Sequence, residues 1–187
     1  MQAAHPEAEV EVWGQDEHRI GLKPIIRRVW CKKGRRPIIT VQHRYTWMSL
    51  YGFVCPTSGQ TFWLVLPTVS TAVWNVVLAE FAQAVGASAN KRIVLVLDQA
   101  GWHTSDAVMV PEGVHVVFLP PYSPELQPAE RLWSLRDEAL ANQHFRDLDA
   151  LVEAQAERGR RLGEEPEGIR ARTAFHWWPG VADNTSN

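Results

Sequence analysis

Five consecutive apolar residues, Ile93-Val94-Leu95-Val96-Leu97, follow the basic pair Lys91-Arg92 and stop at Asp98. The run is β-branched and has no polar alternation, which is how a strand buried on both faces reads. A carboxylate placed at the carboxyl end of such a strand lies where open α/β sheets gather functional residues, because the loops there are free to line a crevice. The chain has 187 residues, 45% of them hydrophobic, so one domain with a substantial core can form around this strand.

The flanking segments fill in a sheet. Glu9 to Trp13 alternates Glu-Val-Glu-Val-Trp, a period-two strand that runs into Gln15-Asp16-Glu17 and sets Asp16 near its end. Tyr45 to Val54 and Thr61 to Leu66 are aromatic and β-branched, and the turn residues Pro56-Thr57-Ser58-Gly59 between them predict an antiparallel pair. Ser70 and Thr71 are candidate caps for a helix carrying Val73, Val76, Val77, Phe81 and Val85, with an end near Gly86. His103 to Met109 predicts a short helix, Val114 to Leu119 a second buried strand, and Pro120 to Pro124 a stiff connector. Helices follow from Pro128 through Leu140 and from Leu148 to Leu162. This is an α/β order that gives a mixed sheet flanked by helices, in a domain spanning 1–163. Residues 164–187 read as a partly disordered tail, frayed from Asp183 to Asn187.

Charge is unevenly spread. The net formal charge is -2, yet no Asp or Glu occurs between His18 and Ala79, while Arg19, Lys23, Arg27, Arg28, Lys32, Lys33, Arg35, Arg36 and Arg44 crowd the first part of that window. Distribution matters more than the sum when a groove binds nucleic acid, although such a run standing alone reads equally as a solvated loop. The longest apolar run is too short to span a bilayer and Met1 precedes polar, acidic residues, so a cytoplasmic location is expected, with no membrane partner. Cys31 and Cys55 support neither a disulfide framework nor a zinc site and read as packing residues. Most of the nine tryptophans, Trp47, Trp63, Trp74 and Trp133 among them, fit core faces, whereas Trp30 and Trp102 are candidates for stacking on unpaired DNA.

Three acids stand where elements meet the sheet's edge: Asp16, Asp98 and Glu130. Hard divalent cations prefer carboxylate oxygens, so convergence of the three suits a magnesium or manganese site. Taken singly, each has a structural reading: Asp98 as a cap, Glu130 as a partner of a helix dipole, Asp16 as an exposed turn residue. Glu17, Asp106 and Glu125 are nearby competitors.

The segment Val96-Leu97-Asp98-Gln99-Ala100-Gly101-Trp102-His103, followed by Phe118-Leu119-Pro120-Pro121-Tyr122-Ser123-Pro124-Glu125-Leu126-Gln127-Pro128-Ala129-Glu130-Arg131-Leu132-Trp133, resembles the DDE domain of transposases in the IS630 and Tc1/mariner superfamily. Gln15-Asp16-Glu17 and the stretch from Arg27 to Pro37 share the resemblance, which covers roughly residues 9 to 145. It implies a ribonuclease H-like fold with three antiparallel strands then two parallel ones. It also implies Asp16, Asp98 and Glu130 as the catalytic ligands of two Mg²⁺ or Mn²⁺ ions, and double-stranded DNA, both transposon ends and target, as substrate. Family members have Asn where this chain has Gln99 and Gln127, changes that keep the amide. His103 matches a family histidine that either contacts the scissile phosphate or orients a carboxylate; with Arg27, Arg28, Lys32, Lys33, Arg35 and Arg36 it is a candidate DNA contact. Few residues precede Asp16, so the helix-turn-helix module usual in the family is expected on a separate subunit or absent, and the active form is expected to be a homodimer. A non-catalytic DNA-binding remnant and a hydrolase of RNA–DNA hybrids are the competing readings.

Overall fold

The computed structural model describes residues 7–179 apart from 24, 29, 36, 37 and 39–44. Five strands form one sheet, β1 (Glu9–Gly21), β2 (Trp47–Cys55), β3 (Gln60–Leu66), β4 (Lys91–Leu97) and β5 (Val114–Phe118), in the order β3-β2-β1-β4-β5. β1, β2 and β3 pair antiparallel, and β4 and β5 run parallel to β1. Helix α1 (Thr71–Val85) covers one face; α2 (Glu130–Leu140), α3 (Leu148–Gly163) and α4 (Pro166–Thr173) cover the other. Among the described residues no helix is long and apolar enough to cross a membrane.

β4 is the expected hub. Ile93, Leu95 and Leu97 are fully buried and Val96 nearly so, because β1 and β5 flank the strand and helices close both faces. On the α1 side, Trp74, Val77, Leu78 and Phe81 pack on Trp13, Phe53 and Leu95. This inward stripe is centred on Trp74 and leaves Val76 59% exposed, although Val76 shares the apolar spacing that predicts the helix. Ser70 caps the helix by accepting from the Val73 amide at 3.2 Å, and Gly86 ends it with φ 71, a conformation glycine adopts without steric cost.

Four expectations are corrected. β1 does not stop near Asp16: paired with β2 from Gly14↔Val54 to Gly21↔Trp47, it carries its polar residues on to Gly21. Residues 103–109 form turns rather than a helix, held to α1 by Asn75, which accepts from the Met109 amide and donates to the Ala107 carbonyl. β5 is an edge strand with Val117 and Phe118 exposed, since periodicity alone does not tell an apolar edge strand from a central one. The segment after Gly163 contains α4, whose Ile169 is 1% exposed and whose Pro166 seats its backbone against Gly59 in the β2–β3 turn. The expected fraying from Asp183 to Asn187 lies outside the described residues. Cys55 is buried as expected, whereas Cys31 is exposed in the loop after β1.

Gly52 is a tight point between sheet and helices. It pairs with Asp16, and a Cβ built there would stand 2.7 Å from the Trp133 ring of α2 and 2.8 Å from Trp63 of β3. Both rings are wedged, so neither neighbour can yield cheaply. Gly52→Ala is expected to destabilise the domain by about 1–3 kcal/mol, the usual range for overpacking, and to lower Tm by about 2–4 °C per kcal/mol. A calorimetric scan showing an unchanged Tm contradicts this packing.

Candidate active site at the split between two strands

β1 and β4 stay paired up to Gly14↔Val96. Asp16 and Asp98 each stand two residues beyond that pair, so they are level with one another where the strands part. β1 keeps its ladder beyond this point with β2, while β4 leans to the other side: the Leu119 amide donates to the Leu97 carbonyl at 2.8 Å and Gln99 Nε2 to the Leu119 carbonyl at 2.9 Å. Gln127 bridges the resulting gap. Its Nε2 donates to the Gln15 carbonyl of β1 at 2.8 Å and to the Val96 carbonyl of β4 at 3.3 Å, and its Oε1 accepts from the Ala129 amide at the start of α2. Gly14 permits this, since a Cβ there would lie 2.6 Å from both Gln127 Oε1 and Pro128 Cγ. Glu130, the first residue of α2, is thereby fixed to the same place.

Asp16, Asp98 and Glu130 line one cleft of about 500 Å³, together with Gln99, Tyr122 and Gln127. Tyr122 stands fully exposed at its rim with φ 58, a backbone conformation unusual for a bulky residue. Asp16 Oδ2 accepts from Trp133 Nε1 at 2.8 Å, and the same indole stacks on His18 at 5.0 Å between centroids. Burial pushes the Asp16 carboxyl up to about 7. The Trp133 hydrogen bond opposes this without offsetting it, and the neighbouring charges of Glu130 and Glu17 add to the rise.

Asp98 is the more exposed partner and is held below the usual carboxylate range by hydrogen bonds from His103 and the Ala100 amide, which outweigh its partial burial. His103 is 3% exposed, with Nδ1 2.8 Å from Asp98 Oδ1 and Nε2 2.9 Å from Glu17 Oε1. Burial works to lower the imidazole, but the two carboxylates outweigh it and raise it to about 9, so the ring is an imidazolium at neutral pH. Both nitrogens are engaged by carboxylates inside the protein, an arrangement that fits the second of the two readings, a histidine that orients a carboxylate.

The acids match the chemistry of a divalent cation in kind. They are hard oxygen donors on rigid elements; the Glu130 side chain has no hydrogen bond or ion pair among the described residues, and the mutual repulsion evident at Asp16 is what a bound cation relieves. As the side chains stand, no group of three or more His, Cys, Asp or Glu among the described residues is gathered to hold a metal ion. The reason is local: Asp16 is turned to Trp133, and Asp98 to His103 and Ala100.

The basic candidates lie elsewhere. Arg27, Arg28, Lys32, Lys33 and Arg35 are exposed on the loop after β1, and Arg36 lies outside the described residues. Asn142 anchors that loop, accepting from the Arg27 amide and donating to its carbonyl. Trp30 is fully exposed beside these cations, whereas Trp102 is half-buried and donates to Glu17 Oε1 at 3.3 Å. Sequence reasoning weighed Glu17 only as a competitor and missed Trp133 and Gln127 as site-forming residues. The one available signal was the amide kept at Gln127 beside Pro128 and Glu130.

A family profile described as DDE superfamily endonuclease matches residues 11–152. A Sinorhizobium fredii protein described as uncharacterized, y4pE/y4sA, is 38% identical over 132 residues, 70% of this chain and 96% of that one. The solved catalytic domain of Mos1 mariner transposase superposes with a TM-score of 0.54 at 16% identity, covering 90% of this chain and 84% of that one. The Mos1 mariner paired end complex with Mn gives a TM-score of 0.59 at 18% identity, covering 90% of this chain and 57% of that one, so the chain spans little more than half of that Mos1 chain. The chain belongs to the DDE superfamily of endonucleases. Its fold is the ribonuclease H-like fold of the mariner transposase catalytic domain.

Proposed function

We propose that this domain cuts and rejoins transposon-end DNA by metal-assisted phosphoryl transfer, with Asp16, Asp98 and Glu130 holding two Mg²⁺ or Mn²⁺ ions. The observation that carries the reading is the convergence of these three carboxylates, from β1, the end of β4 and the start of α2, on one cleft at the strand split. Cations bound there would activate the attacking oxygen, first of water and then of a DNA 3′-hydroxyl, and stabilise the leaving oxygen. The protein's own part is to hold the ligands still. Trp133 fixes Asp16, His103 and the Ala100 amide fix Asp98, and Gln127 sets the spacing of the strands that carry both. Relatives support DNA as the substrate, since the Mos1 structures include a paired end complex and a strand transfer complex; a homodimer is the active form in this reading.

Asp98→Asn keeps an oxygen to accept from His103, so the fold is expected to survive, but a neutral amide is a poorer cation ligand. Nicking of DNA in Mn²⁺ is expected to fall below detection in this variant. A wild-type nicking rate contradicts the assignment.

The exposed basic loop follows the strand that carries Asp16, and in this reading it lines the DNA path. Each Lys or Arg that touches a phosphate steepens the dependence of log affinity on log salt by about 0.9 for duplex DNA. Replacing Arg27, Arg28, Lys33 and Arg35 together by Ala is expected to weaken binding to all sequences alike and to flatten the slope by roughly two to four units. An unchanged slope across a salt series makes the stretch a solvated loop and puts the DNA path elsewhere.

A further inference from the structure

Asp16 and Glu17 are consecutive on β1, so their side chains leave opposite faces of the sheet. Asp16 turns to Trp133 on the α2 face. Glu17 turns to the α1 face, where its carboxylate is almost entirely enclosed: side-chain exposure is 10%, against 55% for Asp98. It has no Lys or Arg partner among the described residues and is held by Trp102 Nε1 and His103 Nε2, both on Oε1. The other ring nitrogen of His103 reaches Asp98, and Trp74 of α1 backs the ring at 4.5 Å between centroids. The result is one continuous line of hydrogen bonds, Trp102 to Glu17 to His103 to Asp98, starting at the half-buried Trp102 and ending in the cleft.

Asp98 has need of such a support. β4 ends at Leu97, so Asp98 has left the ladder, and the loop after it is turns. Its Oδ1 is taken by His103 and by the Ala100 amide, which leaves Oδ2 without a protein partner among the described residues. The imidazole can hold Oδ1 only while its own orientation is set, and among the described residues the group bonded to its far nitrogen is Glu17.

We infer that Glu17 is a positioning residue of the cleft: through His103 it locks the Asp98 carboxylate with Oδ1 held inward and Oδ2 offered to a divalent cation. The inference rests on the reading of Asp98 as a cation ligand. Partners that orient a ligating group from behind are worth about 10–100-fold in metal affinity, because they hold the ligand in one rotamer before the ion arrives. Glu17→Gln retains an oxygen that can accept from His103 Nε2, whereas Glu17→Ala removes it.

Two measurements on the full chain test this. Mn²⁺ titration followed by electron paramagnetic resonance is expected to show affinity falling about tenfold or more in Glu17→Ala and largely recovered in Glu17→Gln. Equal Mn²⁺ affinity in wild type and Glu17→Ala overturns the inference, even if the alanine variant melts earlier. The second measurement needs no metal. In the apo protein, NMR of the His103 ring is expected to show two slowly exchanging, downfield N–H protons. Glu17→Ala should lose the Nε2 proton and also broaden the Nδ1 proton that reports the bond to Asp98, while Glu17→Gln keeps both. A sharp, unshifted Nδ1 proton in Glu17→Ala overturns the inference. If the wild-type chain binds no Mn²⁺, the proposed function fails, and the Nδ1 proton still decides whether Glu17 positions Asp98.

Discussion

Beyond Gly14 and Val96 the two central parallel strands no longer share a ladder, and the rest of the site depends on that parting. Parallel strands with helices on both faces must end somewhere, and their carboxyl ends leave a crevice. Here the ends are drawn to opposite sides, β1 by its long pairing with β2 and β4 by the Gln99 and Leu119 bonds toward β5. Left open, the gap would expose the Gln15 and Val96 carbonyls inside the protein. Gln127 answers both with one amide, and leaving them without donors would cost on the order of 1–3 kcal/mol each. That single side chain therefore sets the distance between Asp16 and Asp98 and anchors the first turn of α2, where Glu130 begins.

The charges around the split follow a consistent logic. Asp16, Glu17, Asp98 and Glu130 gather at one end of the sheet, and the cation among them is the His103 imidazolium, buried between Glu17 and Asp98. The electrostatic strain is felt at Asp16, which is buried, lies near Glu130 and is stabilised by a neutral indole and the Glu17 backbone. A protein seeking stability alone would replace such a group. A protein that holds hard cations there, as proposed, would need it. Each of the acids turned to a protein donor has an oxygen to spare, so a cation can compete for it without unfolding anything.

Much of this was legible in the sequence, and the exceptions have physical causes. The Ile93 to Leu97 run ending at Asp98 announces itself because a doubly buried strand has no polar residue to hide its boundary. Glu130 is legible as the acid that opens a helix after a proline. The length of β1 was not, because residues 15 to 19 are polar and their strand conformation comes from pairing with β2 instead of from their own pattern. The partner of His103 was not legible for a related reason: nothing local says that a histidine in a turn segment will meet a glutamate 86 positions earlier. Likewise, the bond from Trp133 to Asp16 spans 117 positions, and Trp133 read only as a core residue of its helix. α4 was missed because half of its eight residues are polar and it contributes mainly Ile169 and Thr173 to the interior.

The central claim is that the cleft at the strand split is a cation site built from Asp16, Asp98 and Glu130. Anomalous diffraction at the manganese edge from crystals grown with Mn²⁺ addresses it most directly. The account predicts anomalous peaks between these three carboxylates, with the Asp16 and Asp98 side chains bearing on them and Gln127 unmoved. Peaks confined to other acidic residues, or an empty cleft at saturating Mn²⁺, would contradict it.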